Sequence, residues 1–362
     1  MPNWFESMQQ TYKYFKVNPN TWSDEEEIRN VTGSTIMWNN DSDTLGSATI
    51  DTTEKLGECY VRIYLVTIQN GVEESTPLGT FLVQTPSSNV DGKTNNISAD
   101  AYTPLLELKE KYPDIGFYIP KKTNVMDEAY NLMVHNRLLR APVTKASCED
   151  ELNANFVADL EDNWLVFLSE LISNAKYIFK LDEMGNVYFA PKQDIAALTP
   201  VVTFEPNNIS ILYPEVSADE DLYGIPNVVE VVCSNQNSEI FRSVIENVDP
   251  DSPTSIINRG RKIMHRETNP NITGTATQER VDEYARLLLQ ELSSVEHTIT
   301  FTHGYYPVRV GDCVRINYPQ AKLDNVKAMI ISQSIKCEPG CPVTSKAVYT
   351  TKYWRVNDDY IQ

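Results

Sequence analysis

The stretch from His297 to Tyr318, HTITFTHGYYPVRVGDCVRINY, narrows the possible folds of this chain more than any other. Ile299 and Phe301 alternate with Thr298, Thr300 and Thr302. A turn at Gly304 follows, then a corner from Pro307 to Asp312, then a second alternating run in which Val314 and Ile316 face one way. Period-two alternation bounded by Gly, Pro and Asp predicts antiparallel strands buried on one face, here joined at a tight hairpin corner. Gly311 is expected to supply a positive φ in that corner, and Asp312 to accept backbone hydrogen bonds. These residues diagnose a fold and point to no reaction. A helix is expected just before them, over about Thr275 to Ser294, opened by the capping box Thr275-Ala-Thr-Gln278. Two strand-like runs follow, Lys327 to Lys336 and Val343 to Thr351.

The same reading extends along the rest of the chain. Trp4, Phe5, Tyr12, Tyr14, Phe15 and Trp22 sit in a polar N-terminal stretch without periodicity. They read either as an arm needing a partner surface or, around Tyr12 to Val17, as a first strand. The acidic run Asp24 to Glu27 follows. Strands are expected at Gly33 to Trp38, Ser47 to Asp51, Cys59 to Gln69, Pro77 to Gln84 and Asn95 to Tyr102, the last with Ile97, Ala99 and Ala101 facing inward. Such even spacing without a long helix describes a small β-barrel or sandwich.

The pattern then changes. Asn124 with Asp127 reads as a helix N-terminus, and Val125, Ala129, Leu132, Met133 and Leu139 share one helical face through about Arg140. Asp162-Asn163 can cap a second helix bearing Leu165, Leu168, Leu171 and Ile172. Tyr177 to Leu181 and Val187 to Pro191, joined through Gly185-Asn186, predict a hairpin. From Val201 the β character returns, with a strand at Asn227 to Cys233. A polar, Pro-interrupted excursion then leads into the helix whose stripe is Val281, Tyr284, Ala285, Leu288 and Leu292.

A chain of 362 residues has room for two or more cores. The fold class is α+β, mainly β. The expected domains are 1–103, a first β-barrel with an N-terminal arm, and 104–198, an α+β domain of two helices and a hairpin. Residues 199–235 and 297–352 are expected to form a second β-barrel, interrupted by a helical insertion at 236–296, and 353–362 to form a tail. No apolar run approaches a membrane span and the start does not read as a secretory signal, so a cytoplasmic product is expected, with no membrane partner.

Against 31 Lys plus Arg stand 50 Asp plus Glu, a net charge of −19. Such a surface repels nucleic acid and anionic lipid unless basic residues segregate, and Arg259 to Lys262 is too short for that. Solubility alone accounts for the balance; the sharper reading is a surface past which DNA slides without sticking.

No catalytic, cofactor-binding or metal-binding residue is assigned. The four histidines, His135, His265, His297 and His303, show no His-x-x-x-His spacing, and phosphate-loop, G-x-S-x-G and GxGxxG motifs are missing. Counting carboxylates does not rule out a glycosidase pair, but Glu149-Asp150-Glu151 and Asp219-Glu220-Asp221 read as solvated loops. Cys59, Cys148, Cys233, Cys313, Cys337 and Cys341 read as free thiols. Cys337 and Cys341 are spaced for a small disulfide or two metal ligands, with Cys313 and His303 as conceivable further ligands.

Three pieces in order resemble the tail (baseplate) hub family of tailed bacteriophages, related to the hubs of contractile injection systems. They are Lys121 to Val125 leading into a helix, the strand–turn–strand NAKYIFKLDEMGNVYFAP (Asn174 to Pro191), and the Tyr306 to Ile316 corner with Met329 to Ile335 after it. The resemblance implies two tail-tube-like antiparallel β-barrels plus two smaller α+β units, no enzyme activity and no cofactor. It implies a homotrimer, a symmetry adaptor between a hexameric tail tube and a trimeric spike or tail tip protein. Distal tail or baseplate proteins and the tape measure protein would be further partners, and genomic DNA would pass through without specific binding. Its place would be the distal end of the virion tail, after assembly in the host cytoplasm, and no long C-terminal spike or lysin extension is expected. Glu54, Glu58 and Asp324 are candidates for an acidic channel wall. The alternatives are a tail-associated peptidoglycan hydrolase or a carbohydrate-binding receptor module.

Overall fold

Strands dominate both ends of the chain and helices cluster between them. The computed structural model describes residues 2–91, 94–192, 197–207, 211–234, 240–268, 270 and 277–352. The first strands are β1 (Gln9–Val17), β2 (Asp24–Glu27), β3 (Val31–Asn39), β4 (Gly46–Thr52), β5 (Tyr60–Gln69), β6 (Val72–Asp91) and β7 (Thr94–Tyr102). Then come α1 (Leu106–Lys109), β8 (Tyr118–Ile119), α2 (Val125–Val134), β9 (Val143–Thr144), β10 (Phe156–Val157) and α3 (Trp164–Ser173). Next are β11 (Tyr177–Leu181), β12 (Val187–Pro191), β13 (Thr203–Phe204), β14 (Leu212–Asp221), β15 (Val228–Ser234) and β16 (Ile240–Glu246). The last are α4 (Ile256–Arg259), β17 (Met264–Thr268), α5 (Gln278–Leu292), β18 (Ser294–Gly304), β19 (Cys313–Tyr318), β20 (Leu323–Lys336) and β21 (Pro342–Lys352). The mainly β, α+β class expected from the sequence is what the chain adopts.

Two compact units divide the chain: Met1–Val216 with Thr300–Ala347, and Ser217–Ile299 with Val348–Gln362. The strands of the large sheet follow the order β14-β18-β21-β20-β3-β4-β7-β6-β5-β1-β2, with β19 beside β20 and β13 beside β19. The two segments expected as barrels therefore share one hydrogen-bonded sheet, joined where Ile335 of β20 stands opposite Ile36 of β3. Ile36, Ile50, Ile63, Phe81, Ala99 and Ile335 face one core. Branched and aromatic side chains on alternate positions fill it, which is why these segments are strands. In place of a free arm, β1 pairs with β5, and Trp4 packs edge-on against Tyr305 with centroids 5.0 Å apart.

The corner of His297 to Tyr318 is not a hairpin. β18 lies beside β21 and β19 beside β20. The linker steps across because Gly311 N–H donates to Ile330 O (2.7 Å) and Ile330 N–H to Asp312 O (2.9 Å). Gly311 does hold φ +99°, and Asp312 Oδ2 accepts from Arg309 N–H at 2.8 Å, as expected.

The helical segment of this unit has its own core of Leu105, Met126, Leu132, Phe167, Leu168, Phe179 and Phe189. Asn124 and Asn163 cap α2 and α3, each side chain accepting the amide three residues on (Asp127 and Val166). α2 stops at Val134, short of the expected Arg140, because Arg137 turns left-handed at φ +53°. Leu139 is buried all the same, beyond the helix. The hairpin β11–β12 forms as expected, with Phe179 standing opposite Phe189.

In the second unit, β15 is flanked by antiparallel β16 and parallel β17, and α5 covers one face. Val229, Val231, Cys233 and Ile245 meet Val281, Ala285 and Leu289 there. β15, expected in the second barrel, thus belongs to this sheet, and the expected insertion holds strands as well as helices. The stripe of α5 centres on Val281, Ala285 and Leu289, with Tyr284, Leu288 and Leu292 flanking. Its cap is Thr277, whose hydroxyl accepts from Arg280 N–H; the expected Thr275 lies outside the described residues.

Candidate functional site

The residues that sequence suggested for chemistry are scattered. Glu149, Asp150 and Glu151 are exposed, as are Asp219 and Glu220 on β14. His135 and His265 are exposed, and His297 stacks on Tyr349 with centroids 4.6 Å apart. His303 is buried, its Nε2 2.9 Å from Ser345 Oγ and its ring against Phe204 and Phe301. Burial pushes its pKa down to about 4. All six cysteines are free. Burial pushes the thiols of Cys337 and Cys341 up to about 11 and about 12, so both are protonated near neutrality and poor as nucleophiles or ligands. Among the described residues no three His, Cys, Asp or Glu side chains group to hold a metal ion, so Cys313 and His303 do not join Cys337 and Cys341. Glu54, Glu58 and Asp324 are exposed.

What the fold does build in its first unit is a polar joint. The turn of the β11–β12 hairpin is closed by Asp182, which accepts from Asn186 N–H (2.8 Å) and Asn186 Nδ2 (2.8 Å), while Gly185 takes φ +78°. That turn presents its carbonyls to β5 and β6. Arg62, 1% exposed in mid-strand, donates through Nη2 to Met184 O (3.0 Å) and Trp22 O (3.3 Å), through Nε to Thr80 Oγ1 (2.9 Å), and through Nη1 to Asp24 (2.6 Å). Trp22 Nε1 also donates to Met184 O (2.8 Å), and Thr80 Oγ1 to Glu183 O (3.1 Å). Glu183 grips Arg309 bidentately, both contacts 2.6 Å, so the turn is tied to β19's approach as well. A buried guanidinium with each described contact satisfied fixes geometry more than it adds stability. Sequence reasoning passed over Arg62; the available signal was a charged residue inside a run apolar on both faces, Val61 to Val66.

A second polar knot lies nearby. Glu107, buried at the first turn of α1, accepts from Tyr60 Oη (2.5 Å) and from Arg140 through Nε (2.5 Å) and backbone N–H (3.0 Å). Together the two knots hold the helical segment and its hairpin on the sheet in one orientation. Beyond them the helical segment leaves apolar surface uncovered. Tyr118 and Val157 face each other across β8–β10, both exposed, and Tyr112, Ile115 (91% exposed) and Leu160 (79%), close to them in sequence, are exposed as well.

No protein family matches the chain by sequence, and no curated protein does. Solved structures match it in fold. A tail protein from Neisseria meningitidis superposes with a TM-score of 0.64 at 12% identity, over 95% of this chain and 98% of its own. The 43 kDa tail protein of prophage MuSo2 from Shewanella oneidensis gives 0.62 at 11%, over 93% and 97%. A chain of the Francisella PdpA-VgrG complex gives 0.56 at 8%, over 98% of this chain and 56% of its own. The expected likeness to tail hub proteins holds at the level of fold, along nearly the whole chain.

Proposed function

We propose that this chain is a structural, non-catalytic component of a phage-type tail, a homotrimeric hub that joins a hexameric tail tube to a trimeric tip or spike. The observation that carries this reading is length as much as likeness. Two tail proteins are matched over 93–98% of both partners, so the likeness runs along nearly the whole chain and is not confined to one common module. In this reading the strands of 1–103 and those of 297–352 are the two tube-like parts of each subunit. Three subunits then offer six similar parts to a hexameric tube, and the outer edge of β2, which among the described residues meets no strand besides β1, suits pairing with the next subunit. The knots at Arg62 and Glu107 support a part that holds shape under load. The uncovered patch around Tyr118 and Val157 is the kind of surface a tip or spike protein covers. DNA would pass through the ring during ejection, without specific contacts.

Native mass spectrometry of the purified chain, alone and with its tail neighbours, tests the proposal. A trimer alone or in complex is expected; a hexamer would point to a tube subunit instead. Release of soluble fragments from purified cell wall by the chain would favour the hydrolase, and none is expected.

A further inference from the structure

The hairpin sheet has the order β11-β12-β9, so among the described residues one edge of β11 meets no other strand. The ladder fixes which groups lie on that edge. Asp182 N–H donates to Asn186 O and Lys192 N–H to Lys176 O, so the hydrogen-bonded positions of the hairpin are the even-numbered residues of β11. The N–H and C=O groups of Tyr177, Phe179 and Leu181 therefore point away from β12, and among the described residues nothing hydrogen-bonds to them.

Beside this strand runs a cleft of about 630 Å³, the size of a ligand site. Ile178, Lys180, Ile172, Asn40, Val310 and Met329 are among its walls. The Lys180 ammonium leans over Gly311, where an added Cβ would stand 2.6 Å from its Nζ. Its hydrogen-bond partners are neutral, Asn40 Oδ1 at 3.2 Å and Val310 O at 3.4 Å, and no carboxylate of the described residues lies within ion-pair distance. Desolvation lowers its pKa and only the charge of Asp312, acting at longer range, opposes that. A half-buried cation without an ion pair favours an anion arriving from outside.

We propose that the β11 edge and this cleft form a docking site for an extended strand of another protein, one carrying a carboxylate at the position beside Lys180. Unpaired backbone groups supply register-fixing hydrogen bonds, the walls at Ile178 and Met329 take apolar side chains, and Lys180 selects the acidic residue. This goes beyond the hub reading and does not depend on it, because a monomer would carry the same edge and cleft.

The probes are acetylated, amidated nonapeptides of alternating Val and Thr with a central Asp, Asn or Lys, titrated against the full chain by fluorescence anisotropy. Hydrogen exchange of the segment 176–182 is followed in parallel. The Asp peptide is expected to bind at least tenfold tighter than the Asn and Lys peptides and to slow exchange of that segment. Lys180→Met should erase the preference for Asp over Asn. N-methylating alternate residues of the Asp peptide should abolish binding without any change to the protein, which keeps the test valid if the variant misfolds. Equal binding of the Asp and Asn peptides, no binding of any of them, or protection elsewhere in the chain would overturn the proposal. So would a segment already protected through self-association, since a second copy would then fill the edge.

Discussion

Gly185 sits where three demands meet. The turn needs its φ of +78°, and a Cβ there would lie 2.9 Å from Thr80 Cβ and 3.0 Å from Trp22 Cζ2. Gly185→Ala should therefore cost about 2 kcal/mol, the left-handed penalty plus the displaced contact, read as a lower denaturation midpoint. His303 makes a prediction about pH. Its pKa of about 4 in the folded chain lies below the ordinary 6.5, so between those values the unfolded chain takes up a proton that the fold refuses. Its contribution is whole above pH 6.5 and is lost as pH falls toward 4, by up to ~3 kcal/mol. The difference in unfolding free energy between the native chain and His303→Phe should change over that window; a flat difference would contradict it.

Among elements, α3 is the one whose end is most clearly written in its sequence. Asn163 Oδ1 accepts Val166 N–H at 3.0 Å, and the helix behind it buries Trp164, Leu165, Phe167, Leu168, Leu171 and Ile172. Asn163→Ala should lower stability by about 1 kcal/mol in equilibrium denaturation while leaving the fold unchanged. α2 is the counter-example. Its apolar period ran on to Leu139, yet the chain turns at Arg137, where no glycine announces the left-handed step. β18 and β19 show a similar limit. Each was legible as a strand from its alternation, but the Gly311-Asp312 corner that looked like a hairpin hands the chain across β20 instead. Alternation tells which face is buried, not which strand lies alongside.

At the scale of the molecule, charge is the property most open to test. With 50 acidic against 31 basic residues, the proposed ring would present a neutral to acidic wall to DNA. The isolated protein should then show no tight binding of double-stranded DNA at physiological salt in a filter-binding or mobility-shift assay. Tight binding would mean that basic residues face the duplex and would remove the sliding-channel reading. Arg62, buried and bonded to Asp24 and to the carbonyls of Trp22 and Met184, shows that charged side chains can serve the interior instead of the wall.

Sequence alone determined the local elements: the β runs from Tyr12 to Tyr102, the capped starts at Asn124 and Asn163, the hairpin around Gly185, and the amphipathic α5. Each is encoded within a few neighbouring residues, by side-chain period, a cap or a positive-φ turn, so a short window suffices to read it. The tertiary structure decided the partners. Ile36 meets Ile335 from the other end of the chain, β15 joins β16 and β17 instead of the large sheet, and Arg62 finds the turn of a distant hairpin. The same holds for the unpaired edge of β11 beside Lys180. Such pairings depend on which faces and edges fit once loops are closed over long separations, and no residue pattern within a strand carries that information.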